Sequence, residues 1–402
     1  VVVTGLGAVT AFGTGVETFW RRLRNGESGV CAITTFDVPG RVRIGAAVTG
    51  FTPDGIVSDK ERQRLSLASQ MGLVAAREAL GQAGLLDHEA RGEAGVLLGG
   101  SMSSASGSEP HFKRFHETGR VSPAVIPMCM MNAPAAAISI RFGLRGQQHT
   151  VDAACSSSAH AIGMAFHLIR TGLQPIIVTG GVDTTITPAL LEGWASLRVL
   201  SERNDDPARA CRPFNHDRDG FALGEGAAIL VLESETSALA RGATILARVL
   251  GYGFSSDAHN LVAPSEVGQV YAMERALASA SLAPHDIDHV NAHGTATTLN
   301  DVVETRAIKK VFGAHAATIP VVSIKGAVGH LMGAAGAVEG MAAILATMHD
   351  CVPPTRNHDA PDPECDLDYV PHTARDIRVR TVLSNSFAFG GSNACLIVGK
   401  PE

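Results

Sequence analysis

Cys155 lies in VDAACSSSAHAIG (151–163), where a strand-like run ends and small residues lead into a helical pattern. A thiol at a helix N-terminus faces unpaired N–H groups and the positive end of the dipole, which lowers its pKa and favours the thiolate. The junction also offers the backbone N–H of Cys155 to a developing oxyanion. Small neighbours leave space for an acyl group. The competing reading is a buried structural cysteine, the usual state of a free thiol. His293 follows a strand-like run in NAHGTATTLND, and His330 stands after another in SIKGAVGHLMGAAG, within a glycine-lined turn. A lone histidine is more often structural. Two at glycine-flanked strand ends that mirror the Cys155 junction point to one pocket, because ligands collect at the carboxyl ends of strands in open α/β sheets. Lys325, between VVSI and GAVG, reads as a buried cation. Glu339, on the apolar helix that follows, reads as its ion-pair partner, more structural than catalytic. Phe389, Gly390 and Gly391 end SNSFAFGG, a loop able to move and to add a backbone N–H to an oxyanion hole, or else an ordinary turn.

These groups need a scaffold that repeats. VVVTGLG (1–7), GVLLGG (95–100), TVDAAC (150–155), PIIVTGGVD (175–183) and AAILVLES (227–234) read as strands. Helical spacing runs through 60–83, 127–144 and 156–172, with a polar, irregular stretch up to about 122. Strands alternating with helices predict a parallel or mixed sheet covered on both faces. The second half replays the pattern. ILARVLGYGFSSDAHN (245–260) answers the first strand, the helix at 265–282 answers 60–83, HVNAHGTATTLND (289–301) answers GVLLGG, and IPVVSIKGAVGH (319–330) with the helix to 348 answers the Cys155 junction. RTVLSNSFAFGGSNACLIVG (380–399) supplies the closing strands. The chain is read as an N-terminal half (1–245) carrying the cysteine and a C-terminal half (246–402) carrying both histidines.

Bulk properties exclude several classes. The chain has 402 residues, 45% hydrophobic but only 5% aromatic, with 43 glycines, which suits layered helices and sheets rather than an all-β sandwich. A net charge of −6 and the lack of a Lys/Arg run argue against nucleic acid, though a local Arg patch could dock an acidic carrier protein. Arg outnumbers Lys heavily, as in GC-rich bacterial genomes. Seven scattered cysteines without a CxxC pair indicate neither disulfides nor zinc, and fit a reducing cytoplasm. No apolar run of membrane-spanning length stands out. A chain that begins on Val1 reads as trimmed. Gly5-Leu6-Gly7 hints at a dinucleotide loop, but Thr10 replaces the third glycine and no suitable acid follows. His285 with His289 and His111 with His116 lack convincing metal-ligand spacing.

The ordered set VDAACSSSAHAIG, FNHDRDGFALGEGAA (214–228), NAHGTATTLND, SIKGAVGHLMGAAG and NSFAFGGSN (385–393) resembles the elongating β-ketoacyl-[acyl carrier protein] synthases, notably synthase II and the ketosynthase-α subunits of type II polyketide synthases. The resemblance runs from residue 1 to about 400. It implies the α/β thiolase fold, two βαβαβαββ halves stacked as αβαβα layers. It implies that Cys155 accepts an acyl chain, that His293 and His330 assist decarboxylation of malonyl-ACP, and that the N–H groups of Cys155 and Phe389 hold the oxyanion. No metal or organic cofactor is required. Acyl carrier protein is the implied partner, together with a homodimer or a heterodimer with a chain-length-factor-like homologue. A non-catalytic chain-length factor would lack the cysteine. A biosynthetic thiolase would want a second cysteine, and the initiating synthases use Cys-His-Asn. Two departures stand out. Ala388 replaces the usual glycine before the gate phenylalanine, which could stiffen the gate. SMSSASGSE (101–109) is small and polar where fatty-acid enzymes carry a bulky group, which suggests an open tunnel for longer chains. Ser108, Met128 and Met131, with Met130 and Cys129, are the acyl-pocket candidates, plain core packing or a dimer seam being the other reading.

Overall fold

The computed structural model describes residues 1–53, 55–103 and 105–401. Among them one sheet path runs through β1 (Val2–Thr10), β2 (Gly95–Gly99), β3 (Gln148–Val151), β4 (Ile176–Asp183), β5 (Gly226–Glu233), β6 (Ala247–Ser256), β7 (His289–Asn291), β8 (Val321–Val322), β9 (Thr381–Phe387) and β10 (Ser392–Gly399). The spatial order is β8-β7-β9-β10-β6-β1-β5-β4-β2-β3. Read outward from the β1–β6 seam, each half uses its strands in the same order: first, fifth, fourth, second, third. The inner pairs are antiparallel and the outer pairs parallel in both halves. The seam itself is a short antiparallel contact, Val2 with Arg248 and Val3 with Ala247.

The principal helices are α1 (Leu67–Gln82), α2 (Ala105–Thr118), α3 (Ala133–Phe142), α4 (Ser157–Arg170), α5 (Glu266–Ala280), α6 (Asn300–Phe312) and α7 (Ala335–His349). α1 lies on β1, β5 and β4, with α3 beside it, while α5 covers β6, β10 and β9 with α6 beside it. Between the two sheets run α4 and α7, each touching strands of both halves. This is the five-layered αβαβα stack of the thiolase fold. α7 is buried from Ala335 to Thr347. A helix apolar on every side has to sit inside, which explains its place in the central layer.

Glycine sets the helix-to-sheet distance. A Cβ on Gly5 would stand 2.0 Å from the Ala79 carbonyl oxygen, and one on Gly7 1.9 Å from that of Ala75. The pair that resembles a dinucleotide loop lies in mid-strand and seats α1. Gly251 and Gly253 of β6 seat α5 in the same way, with clashes at Ala276 and Ala272. The duplication is thus visible at the level of single residues.

Local readings need four corrections. The helix expected over 60–83 breaks into Asp59–Arg62 and α1, because the Ser66 hydroxyl caps the Ser69 N–H and starts a new helix. The stretch before 122 is not irregular but contains α2, a helix that buries only Gly107 and so shows no apolar period. The helix expected over 127–144 is two, Val125–Cys129 and α3. β3 stops at Val151, and Cys155 stands in a 3-10 turn, Ala154–Ser156, ahead of α4. Among the described residues no helix is long and apolar enough to cross a membrane.

Candidate active site

Cys155 sits where the chain turns sharply out of β3 into α4. Ala154 holds φ 48°, a left-handed conformation that side chains disfavour and that aims the thiol off the helix end. Asp183, Gly333 and the Phe387–Phe389 segment close around this turn. The Phe389 N–H faces the Cys155 sulfur and works to lower the pKa of the thiol. A cavity of about 350 Å3 opens onto Cys155 and His330, walled by Trp194, Leu197, Phe221, Leu261, Thr295 and Phe389.

The two histidines meet nearly edge to face, ring centroids 5.4 Å apart. Both are buried. Lys325 donates to His293 Nδ1 at 3.3 Å, to the His293 carbonyl oxygen and to Glu339 Oε1. The Met332 N–H donates to His330 Nδ1 at 3.3 Å. With Nδ1 used as an acceptor in each ring, the single proton of the neutral imidazole sits on Nε2. Burial holds both rings neutral, far below the usual histidine range, and the Lys325 charge adds to it. The pair can therefore present two Nε2–H donors to one oxygen.

The thiol corrects the first expectation. Helix N-terminal placement predicts a lowered pKa, yet burial pushes Cys155 up to about 12, against the pull of Lys325 and the Phe389 N–H. The resting group is a thiol, and its proton must leave as the sulfur reacts. Burial also raises Glu339 to about 7 despite the adjacent ammonium.

The gate loop is braced rather than loose. Gly390 N–H donates to the Leu261 carbonyl at 2.7 Å, and Asp257 N–H to that of Gly391 at 2.8 Å. Gly391 takes φ 72°, and a Cβ there would lie 2.6 Å from that of Asp257. Ala388 has φ −115°, ordinary extended backbone, so its methyl introduces no strain. The Phe389 ring lies against Trp194, centroids 5.9 Å apart.

The structure brings together Cys155, His293, His330, Lys325, Glu339 and the Phe389–Gly391 loop. Of the acyl-pocket candidates, Ser108, Met128 and Met131 do not line this cavity. Ser108 is on α2, its hydroxyl bonded to the Ala105 carbonyl, and neither it nor Met128 lines the cavity. Met131 borders a separate narrow cleft with Leu98, Pro134, Thr150 and Val182. That register was read through the stretch where α2 was missed. Of the segment 101–109, Ser104 lies outside the described residues.

Sequence reasoning also missed two buried carboxylates. Glu304 accepts from the His293 N–H and the Gly294 N–H, both at 2.8 Å, and from Asn385 Nδ2 at 3.1 Å, so it fixes the backbone that carries His293. Asp183 accepts from the Ser101 N–H, the Ser101 hydroxyl and the Gly333 N–H. The signals were present: Asp183 ends an otherwise apolar strand, and Asp301, Glu304 and Thr305 share one face of α6 just after the histidine turn.

Comparison with known proteins agrees with this geometry. Residues 1–238 match the family model described as beta-ketoacyl synthase, N-terminal domain, and residues 246–359 its C-terminal domain. The chain is 41% identical to a 3-oxoacyl-[acyl-carrier-protein] synthase 2 of Synechocystis sp., over 100% of this chain and 98% of that protein. It is 38% identical to the corresponding synthase of Staphylococcus aureus, with the same coverage. Among solved structures, the ishigamide ketosynthase/chain length factor superposes with TM-score 0.94 at 35% identity, over 100% of this chain and 99% of that one. A type II polyketide synthase acyl-carrier protein in complex with its ketosynthase bound to the hexaketide (AntDE:AntF) gives 0.90 at 29%, with the same coverage.

Proposed function

The chain belongs to the β-ketoacyl synthase family, and from that premise we propose that it elongates acyl chains by decarboxylative Claisen condensation, in fatty-acid or polyketide assembly. Cys155 attacks the thioester carbonyl of an acyl-carrier protein, its proton passes to the departing carrier thiolate, and the acyl group remains on the sulfur. Malonyl-ACP then binds. Loss of CO2 leaves an enolate whose oxygen takes the Nε2–H groups of His293 and His330. The enolate carbon attacks the acyl-Cys155 carbonyl, the tetrahedral oxyanion accepts from the N–H groups of Cys155 and Phe389, and the sulfur leaves as a thiolate that takes up a proton from water, giving 3-ketoacyl-ACP and the resting thiol. Lys325 orients His293, Glu339 balances Lys325, and Gly390 and Gly391 let the Phe389 loop turn.

The observation that carries this reading is the shared tautomer. Two neutral imidazoles, each with Nδ1 occupied by a donor, meet edge to face, and His330 shares a cavity with the Cys155 thiol. A non-catalytic chain-length factor would keep the fold without needing that arrangement.

We draw the boundary between the halves at 245/246. We also propose a dimer, with a second copy or with a chain-length-factor-like homologue. Support comes from β3, whose outer edge has no strand partner among the described residues, and from the exposed side chains of Ile126, Met130 and Ile140 near it in sequence. A reducing cytoplasm suits seven free cysteines.

Intact mass after mixing with acyl-ACP tests the reading. An acyl-sized gain on the wild type and none on Cys155→Ala is expected. A folded wild type that gains nothing from any acyl-ACP, even with a candidate partner subunit, would overturn it.

A further inference from the structure

The proposed oxyanion hole takes its two N–H groups from separate elements, Cys155 at the start of α4 and Phe389 in the loop between β9 and β10. Something must hold their spacing. One turn into α4, His160 reaches toward the second half. Its Nδ1 lies 2.5 Å from the Tyr252 hydroxyl and its Nε2 2.9 Å from the Ser392 hydroxyl. Ser392 is the first residue of β10 and immediately follows Gly391. Its carbonyl accepts the Ala388 N–H at 3.1 Å, so it closes the gate loop at its base. Tyr252, on β6, is buried, and its ring meets that of His160 edge to face, centroids 6.0 Å apart.

The seat is built on both sides. A Cβ on Gly163, three residues along α4 from His160, would lie 2.3 Å from Tyr252 Cδ2, so glycine makes room for this ring. β6 and β10 pair along this region, Tyr252 opposite Leu396 and Ser256 opposite Ser392. Burial holds His160 neutral, down to about 4, so one ring nitrogen donates and the other accepts. A neutral imidazole bridging two hydroxyls is fixed at both ends, and nothing in the proposed chemistry uses it.

We propose that His160 is a positioning residue, clamping the base of the Phe389 loop through Ser392 to the helix that carries Cys155, with Tyr252 setting the ring. The clamp fixes the distance between the two oxyanion donors. It rests on the proposed role of those two N–H groups.

The test uses His160→Ala, Ser392→Ala, Tyr252→Phe and the conservative His160→Gln, whose amide reaches Ser392. Removal of a whole oxyanion donor costs about 100-fold or more in rate, and a displaced donor is expected to cost about tenfold. Acyl transfer to Cys155 should therefore slow about tenfold in His160→Ala and Ser392→Ala, and less in Tyr252→Phe, with KM for the acyl donor unchanged. Alkylation of Cys155 by iodoacetamide, which needs no oxyanion hole, should keep its rate. His160→Gln should recover most of the loss. Hydrogen–deuterium exchange of residues 388–391 should quicken in the alanine variants, and this reads the clamp without turnover. Wild-type exchange and wild-type acyl transfer in those variants would overturn the proposal. So would alkylation falling in step with acyl transfer, which marks plain structural damage. A wild type that takes no acyl group would sink the functional reading instead, and the exchange arm would still decide the clamp.

Discussion

Lys325 holds three acceptors at once, and its removal separates structure from chemistry. Lys325→Met strips Glu339 of its pair in a site where Glu339 Oε2 already has no partner. Breaking a buried ion pair on one side costs roughly 3–5 kcal/mol, because the remaining charge is left desolvated. Lys325→Met/Glu339→Leu replaces the pair by apolar groups of similar volume, which is often close to neutral. What stays lost are the hydrogen bonds to the His293 carbonyl and to its Nδ1, about 1–2 kcal/mol together. The double variant should therefore stand within about 2 kcal/mol of the wild type, measured by urea unfolding at one fixed protein concentration so that assembly does not enter the comparison. Its chemistry should not recover. With no donor on Nδ1, the His293 proton is free to sit on either nitrogen, and a wrong tautomer in a catalytic imidazole is worth up to about 10,000-fold. A fall of about 100-fold or more in CO2 release from malonyl-ACP is expected in both variants. A double variant that regains stability and also regains decarboxylation would refute the tautomer argument and make Lys325 a structural residue only.

Three further outcomes follow from the same geometry. Burial raises Cys155, Cys211 and Cys365 to about 12 and Cys351 to about 11, and lifts Cys395 as well. These thiols stay neutral when folded but ionise near pH 9 when unfolded. Stability is therefore whole below pH 9 and falls as pH rises toward 11, each thiol contributing about 1 kcal/mol per pH unit. Alkaline unfolding followed by circular dichroism checks this, and Cys395→Ala should shallow the fall; a flat profile from pH 8 to 10.5 would contradict it. Gly391→Ala should harm acyl transfer far more than Gly390→Ala. Both sit at positive φ, worth about 1–2 kcal/mol, but only the first places its Cβ against Asp257 while nothing lies near the second; equal kinetics in the two would count against a braced loop. Glu304→Gln turns an amide donor toward the His293 and Gly294 N–H groups and should cost about 2–3 kcal/mol in stability, with decarboxylation falling more than Cys155 alkylation.

The core strands were legible because they are aliphatic runs that stop at glycine or at a polar residue. β4 and β5 are buried along their whole length. The three candidate side chains stood out because the histidines follow strands beside glycines and Cys155 stands at a strand-to-helix junction of small residues. α2 was not legible, since it exposes nearly every side chain and carries Pro110 inside it, leaving no period to read. Ser108, on that helix, does not line the cavity at Cys155, and neither does Met128 or Met131. The protonation state of the thiol was not legible. A helix terminus is local and can be read from sequence, whereas the desolvation that outweighs it at Cys155 comes from residues distant in sequence, from Val30 to Met332. Glu304 and Asp183 carried a sequence signal, an acid on a buried helix face and an acid ending a strand, but their partners, mostly backbone N–H groups, did not.

The duplication also explains why one pseudo-symmetric molecule has one proposed nucleophile. Both central helices begin alike, with a 3-10 turn at Ala154–Ser156 before α4 and at Met332–Ala334 before α7. Ala154 and Met332 share φ 48°. Gly333 therefore stands where Cys155 stands. Each turn is met by the segment ending the fourth strand of the opposite half. Asp183, ending β4, accepts the Gly333 N–H at 2.8 Å and so occupies the donor of the second turn. Past the end of β9, Phe389 instead brings its own N–H to the first turn. One turn has its donor consumed by a carboxylate, and the other gains a second donor. A Cβ on Gly333 would lie 2.4 Å from the Ser101 nitrogen, so no side chain fits there. The closed turn frees its approach, three residues earlier, for His330 to face the open one. Asymmetry in a handful of strand-end residues, on a backbone that repeats almost turn for turn, is enough to put the nucleophile in one half and the imidazoles in the other.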